Sequence, residues 1–382
     1  MNGKETKKTI KIFAIASFLN DFGSDIIYPI WPLFVTSFLG ANMTVLGFID
    51  GLGDAIVSLS QAASGYISDR IQKRKIFIWV GYICGSASRL GYAVSAVWQH
   101  LIPFRILDRV GKIRSAPRDA IIADVSTNEN RGTHFGILRM MDNLGAVCGI
   151  LVCLLLIKPL GYSKLFMLAA IPSLIGAALV IAAIKEAKPS TEIRVFRGIT
   201  FADLSRNFKL YLILSAFFAL ASFSYSFLLV FANEFGFSFG FVPILYLVFT
   251  AIASLVSLPF GKLADQYGRK PILFFSYILW AVICLIFIFF HSHFAIVLVF
   301  VLYGLHKGAL EPVQRTFVSE LAPERFRASS LGGFQMVVGL CALPSSLLAG
   351  ILWDKIGISA PFYFSFFLTL LSIVILLFVK DR

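Results

Sequence analysis

Twenty residues, RILDRVGKIRSAPRDAIIAD from Arg105 to Asp124, carry side chains that could do chemistry where few are tolerated. Their apolar flanks and length mark a membrane-spanning helix. Yet Arg105, Asp108, Arg109, Lys112, Arg114, Arg118 and Asp119 all fall inside it. A charge at the bilayer centre costs about 2.5–3.5 kcal/mol on insertion scales. Seven on one helix cannot face lipid. They either pair with charges on other helices or line a wet path. Guanidinium and ammonium groups bind anions, and a buried aspartate can take and release a proton.

The same half of the chain holds the material for pairing. The cationic candidates are Arg89, Arg105, Arg109, Lys112, Arg114, Arg118 and Arg139. The acidic ones are Asp21, Asp25, Asp50, Asp54, Asp108, Asp119 and Asp142. Helical phase sorts them. Arg105, Asp108, Arg109, Lys112 and Asp119 share a sector of one helix, with Arg114 and Arg118 pointing away. Ser17, Asp21, Ser24, Asp25, Tyr28 and Pro32 share a face of the first span. Asp50, Asp54 and Gln61 share a face of the second, and Arg139, Asp142 and Asn143 a face of the fifth.

The elements that must position these residues are membrane helices. The 382 residues are 58% hydrophobic and 14% charged, with 39 phenylalanines. Apolar runs of spanning length recur throughout. Twelve spans are expected, at 11–38, 43–68, 74–96, 100–125, 134–157, 162–184, 210–235, 240–264, 271–290, 294–321, 328–352 and 359–379. The fold class is an all-α polytopic membrane protein. The basic start is read as leading into an uncleaved first helix. The net charge of +13 gathers in alternate connections, at Lys4, Lys7, Lys8 and Lys11, at Arg70, Lys73, Arg74 and Lys75, and along 185–209. By the positive-inside rule both termini are cytoplasmic. This basic balance reflects topology, so no nucleic-acid partner is expected. The five cysteines lie in apolar runs, and no disulfide framework is predicted.

An internal repeat divides the spans six and six. Gly65-Tyr-Ile-Ser-Asp69-Arg-Ile-Gln-Lys73-Arg74-Lys75 follows span 2. Gly261-Lys-Leu-Ala-Asp265-Gln-Tyr-Gly268-Arg269-Lys270 follows span 8, 196 residues later. Asp124 with Arg131 is answered at the same offset by Glu320 with Arg327, and Lys112 by Lys307 at an offset of 195. The domains are 1–184 and 210–382, each a six-helix bundle, joined by a cytoplasmic linker at 185–209.

With these motifs the chain resembles the major facilitator superfamily over its whole length. The resemblance rests on G-x-x-x-D-(R)-x-G-[RK]-[RK] after spans 2 and 8. The first copy has Gln72 in place of the family's Gly. The resemblance implies two pseudo-symmetric six-helix halves working by alternating access. It implies charge clusters gating the inner face, Asp69, Lys73 and Asp124 with Arg131 in one half and Asp265, Arg269 and Glu320 with Arg327 in the other. Spans 1, 2, 4 and 5 would line the central cavity. Gly23-(x5)-Pro29-Ile30-Trp31-Pro32 looks like a drug:proton antiporter signature. Arg105, Asp108 and Gly111 fit part of a third family motif, in which Arg105 would tune a proton-carrying carboxylate. Gly145 and Gly149 supply half of a further antiporter motif, and alone they also suit close helix packing.

In the carboxyl-terminal half, Lys307, Glu311 and Arg315 stand at i, i+4, i+8. They form either an intrahelical ladder or a cavity-facing set. His291 and His293 are too few ligands for a metal site. No P-loop, H-E-x-x-H or G-x-S-x-G motif occurs, so neither a nucleotide-driven pump nor a recognisable hydrolase is expected. The expected protein is a secondary transporter of the cytoplasmic (inner) membrane, a monomer without cofactor or metal. It moves a small charged or amphipathic organic solute with protons, through Asp21, Asp25 or Asp54. The competing readings are an exporter of drugs or amphiphiles and a membrane sensor that keeps the fold without transport.

Overall fold

A computed structural model describes residues 3–71, 73–126, 131–184, 205–322 and 327–380. They are helical, with no strand among them. The twelve expected spans are all present. Spans 2 and 3 are Met43–Ile71 and Lys75–Ala93. Spans 5 and 6 run through Arg131–Ala183 and are separated by a break at Gly161, whose φ of 67° is open to glycine and strained for other residues. Spans 8 to 12 are Val242–Tyr267, Arg269–Phe289, His293–Leu321, Arg327–Lys355 and Ala360–Phe378. Among the described residues, eight helices are long and apolar enough to cross a membrane, the continuous 5–6 segment counting as one. Spans 1, 3 and 4, which carry Asp25, Arg89 and the Arg105 stripe, fall outside that set.

Three spans are discontinuous. Span 1 is helical over Gly3–Asp25, turns, and resumes at Trp31–Leu33 with a π-helical turn at Phe34–Phe38. Pro29 and Pro32 explain the interruption, since each removes a backbone donor from the ladder. Span 4 is Leu101–Val110 and Ser115–Asp124, joined by a 3-10 turn at Gly111–Arg114. Span 7 is Arg206–Ala221 and Ser226–Glu234, broken at 222–225.

The described residues pack as two compact units. One lies within Met1–Phe34 and Ile56–Phe196, the other within Val35–Ala55 and Arg197–Arg382. Span 2 thus contributes to both.

In the first unit, span 1 packs closely along span 5. A Cβ on Gly145 would stand 2.4 Å from the Phe18 carbonyl oxygen, and one on Gly149 2.3 Å from that of Phe22. The Gly-x-x-x-Gly pair therefore serves helix packing, as small residues do where backbones approach. The second unit is filled by aromatics. Phe231 meets Phe287, Phe362 and Trp353, and Phe223 meets Trp280 and Phe362, all with ring centroids within 6.2 Å.

Candidate functional site

The charges of span 4 sort into two groups along the helix, and the 3-10 turn at Gly111–Arg114 separates them. That turn has 3.0 residues per turn rather than 3.6, so its four residues add roughly 80° of rotation. Its cause lies in packing against span 3. A Cβ on Gly111 would lie 2.8 Å from the Gly81 carbonyl oxygen, and one on Gly81 2.5 Å from that of Gly111. The extra rotation corrects the continuous stripe expected from α-helical phase. Asp119 does not join Arg105 and Arg109.

Asp119 instead pairs with Arg118, 2.9 Å from its Nη2, while Nη1 of Arg118 donates to Ser17 Oγ at 2.7 Å. Ser17 in turn donates to Asp142. Arg139 approaches Asp142 at 3.8 Å, yet its side chain is 63% exposed, so it is no buried charge as the sequence suggested. Arg114 Nη1 donates to the Gly111 carbonyl at 2.8 Å, and its guanidinium lies 5.3 Å from the Tyr82 ring centroid. Arg114 and Arg118, whose partners the sequence did not reveal, thus find them on spans 1, 3 and 4.

Above the turn, Arg105 is 3% exposed, with its guanidinium 4.4 Å from the Trp31 ring centroid. Asp108 lies 3.6 Å from Arg109 Nε. Arg109 Nη1 donates to Tyr28 Oη at 3.2 Å, its guanidinium 5.4 Å from that ring centroid. Asp25 is buried at the last residue of the first helical segment of span 1. Tyr28 and Trp31 sit within or just past the break that follows it. Asp21, one turn earlier, accepts from Asn20 at 2.8 Å. Lys112 is half-buried on the 3-10 turn.

Arg89 of span 3 is 2% exposed, and its hydrogen bonds go to neutral acceptors. They are Ala169 O at 2.8 Å, Ser173 Oγ at 2.6 Å, Ser24 Oγ at 2.8 Å and Asn20 O at 3.3 Å. One guanidinium therefore ties spans 1, 3 and 6 together.

Asp50 and Asp54 of span 2 do not join this network as expected; both belong to the second unit. Asp50 is 3% exposed and accepts from Ser224 Oγ at 2.8 Å and Ser226 Oγ at 2.5 Å, at the break in span 7. Asp54 is exposed. Lys307 Nζ lies 5.7 Å from the Tyr303 ring centroid. Lys307, Glu311 and Arg315 form no ion-pair ladder among the described residues, Glu311 and Arg315 being exposed. The start of span 2 is held by Asp354 of span 11. Its carboxylate accepts from Met43 N at 3.2 Å, Thr44 N at 2.8 Å and Thr44 Oγ1 at 2.6 Å.

At the opposite helix ends the repeated motif forms two matching clusters, one in each unit. In the first, Asp124 pairs with Arg74. This corrects the expected partner, Lys73, which is exposed. In the second, Arg269 meets Asp265 at 2.5 Å and Glu320 at 2.9 Å, with Nε also donating to Glu320. Lys75 Nζ donates to Ile181 O and Lys270 Nζ to Leu377 O, each at 2.8 Å. Arg74 and Lys75 are therefore the counterparts of Arg269 and Lys270, at an offset of 195. The first copy has one more residue than the second between its aspartate and its arginine, a signal present in the sequence. Asp69, Arg131 and Arg327, also expected at the gates, lie outside the described side chains.

Among the described residues no group of three or more His, Cys, Asp and Glu could hold a metal ion. His291 stacks on Phe235 with centroids 4.5 Å apart.

Comparison with known proteins extends the geometry. The family model described as Major Facilitator Superfamily matches residues 13–253 and 210–382. An uncharacterised MFS-type transporter of Methanocaldococcus jannaschii is 36% identical over 99% of this chain and 96% of its own length. Multidrug resistance protein 1 of Bacillus subtilis is 24% identical over 94% of this chain and 92% of its own. Among solved structures, the nucleoside transporter NupG superposes with a TM-score of 0.76, covering 99% of this chain and 98% of that one at 16% identity. That identity supports the fold alone. Duplicated charged turns, twelve spans and a family match along the chain converge: this protein is a multi-pass membrane transporter of the major facilitator superfamily, not an enzyme.

Proposed function

We propose that the protein is a proton-coupled secondary transporter of a small charged or amphipathic organic solute, working by alternating access in the cytoplasmic membrane. The observation that carries this reading is the break in span 1 immediately after the buried carboxylate Asp25. Discontinuous helices are where transporters of this general kind gather substrate and coupling ions, because unwound backbone offers polar groups inside the membrane. Asp25 is the coupling carboxylate of choice, with Asp21 one turn away. Protonation neutralises such a group and changes which cations it holds, biasing a two-state equilibrium. The Arg74–Asp124 and Arg269–Glu320 pairs would form in one state and loosen in the other. The halves 1–184 and 210–382 are the moving parts, both termini facing the cytoplasm.

Proteoliposomes loaded with a pH-sensitive dye test the reading. A transported solute acidifies or alkalinises the lumen with wild-type protein, and Asp25→Asn abolishes that signal. Solute uptake with unchanged proton movement in Asp25→Asn removes Asp25 as the carrier.

Export of drugs or amphiphiles is the second reading. It is supported by the similarity to multidrug resistance protein 1 and by the span-1 motif. Resistance of cells expressing the protein to lipophilic compounds separates the two.

A further inference from the structure

The internal repeat and the packing divide the chain differently. The repeat gives residues 35–55 to the amino-terminal half, whereas by packing Val35–Ala55 belongs with Arg197–Arg382. This segment holds the turn after span 1 and the first part of span 2. Three sets of contacts fasten it, all within the second unit. Asp354 of span 11 caps the start of span 2 through Met43 N, Thr44 N and Thr44 Oγ1. Further along, span 2 lies against the span 11 backbone. A Cβ on Gly47 would stand 2.0 Å from the Ser346 carbonyl oxygen, and one on Gly51 2.6 Å from Leu343 Cα. Towards span 7, the buried Asp50 carboxylate accepts from Ser224 and Ser226. Ser224 N in turn donates to Ser346 Oγ at 3.2 Å.

The two serines flank Tyr225 where span 7 resumes after its break. That break repeats the one in span 1. The helical segments before them end at Ala221 and Asp25, 196 residues apart, which is the offset of the charged motif. A buried carboxylate therefore stands at each break, Asp25 from span 1 itself and Asp50 from a different span. Contacts of this kind suit one arrangement only. Glycine-lined backbones approach closely in a single register, and hydrogen bonds to a shared carboxylate are lost together when the helices part.

The ends of the segment are places where a helix yields. A π-helical turn occupies Phe34–Phe38 at its first boundary, a form found mostly at functional sites. Gly51 and Gly53 precede the second boundary, between Ala55 and Ile56, and glycine weakens a helix interior. The clasped end of span 2 is also remote from the charged motif. Between Met43 and Ile71 the helix rises roughly 42 Å, more than a hydrocarbon core of about 30 Å.

We infer that Val35–Ala55 is a releasable clasp, in which Asp50 and Asp354 latch span 2 to spans 7 and 11 in this state and let go in the other. The inference rests on the alternating-access reading and assigns its latch at the membrane face opposite the charged motif.

The test measures distances in full-length protein in lipid nanodiscs, with the five native cysteines replaced by alanine. Spin labels at Phe38→Cys and Ile356→Cys, both exposed positions, report the clasp. Labels at Tyr267→Cys and Phe378→Cys, also exposed, report the other end of the second unit. Pulsed electron paramagnetic resonance resolves a shorter and a longer 38–356 separation. Asp50→Asn and Asp354→Asn each raise the ratio of longer to shorter about tenfold or more, the size expected for losing a hydrogen bond to a charged group. The 267–378 separation stays as in the parent. Ser226→Ala, which keeps the carboxylate, shifts the ratio less and in the same direction, and it carries the comparison if Asp50→Asn does not fold. A 38–356 distribution unchanged in the variants, or an equal change at 267–378, overturns the inference. Failure of the transporter reading is distinguishable, because solute-driven pH change in proteoliposomes tests it without reference to this segment.

Discussion

Gly23 is small because Arg89 needs its space. A Cβ there would stand 2.2 Å from Arg89 Nη1 and 2.5 Å from the Ala169 carbonyl that this nitrogen bonds. Gly23→Ala therefore displaces a buried guanidinium from its acceptors. Overpacking of this kind costs about 1–3 kcal/mol, and the loss of a charged hydrogen bond adds to it. Thermal unfolding in detergent reads the change. An unaltered midpoint would mean that Arg89 relaxes without cost. A glycine in a glycine–proline motif is legible as a letter pattern, but its reason is a side chain 66 positions away on another span.

The charged clusters of the repeated motif give a second prediction at the same scale. Arg74 holds Asp124, and Lys73 does not. Cysteines at 74 and 124 should cross-link under mild oxidation far more readily than cysteines at 73 and 124. Equal cross-linking would restore the register in which Lys73 is the counterpart of Arg269. The letters of the motif pointed to Lys73. The partners of Lys75 and Lys270, at Ile181 and Leu377, reveal the extra residue.

At the scale of elements, the ends of helices follow from the sequence and their interruptions do not. Span boundaries were readable because a hydrocarbon thickness sets the length of an apolar run. The breaks in spans 1, 4 and 7 depend on packing as much as on proline. Gly111 against Gly81 forces a 3-10 turn that no local propensity requires, and the turn moves Asp119 off the Arg105 face. Pattern reasoning at a fixed 100° per residue loses register at such a turn. The start of span 2 is a related case. Asp354 accepts from the Met43 and Thr44 amides and the Thr44 hydroxyl, a capping role played by a residue on another span. Around it, a Cβ on Gly350 would lie 2.3 Å from the Met43 carbonyl, and one on Gly47 2.0 Å from that of Ser346. Removing the cap in Asp354→Ala costs about 1–2 kcal/mol of local stability by analogy with helix N-caps. Hydrogen exchange of amides 43–51 should accelerate about tenfold. Unchanged exchange there would mean that the Asn42 side chain, which accepts from Val45 N at 2.9 Å, and glycine packing hold the helix start without Asp354.

For the whole molecule, the proposed transport cycle joins one charged unit and one aromatic unit. The basic connections predict the cytoplasmic side of the termini, so a cysteine placed in the 185–209 linker should be labelled only after the inner face is opened to reagent. The transporter class was legible from the repeated motif, while the pairing of Asp50 with Ser224 and Ser226 was not. That contact joins residues 174 and 176 positions apart, and nothing in the local pattern of either segment marks it. The central claim is that solute and proton movement share Asp25. It is tested most directly by solute-driven pH change in dye-loaded proteoliposomes, wild type against Asp25→Asn. The account predicts a solute-dependent pH change in the wild type and none in the variant. Solute uptake that moves no protons in the wild type would contradict it.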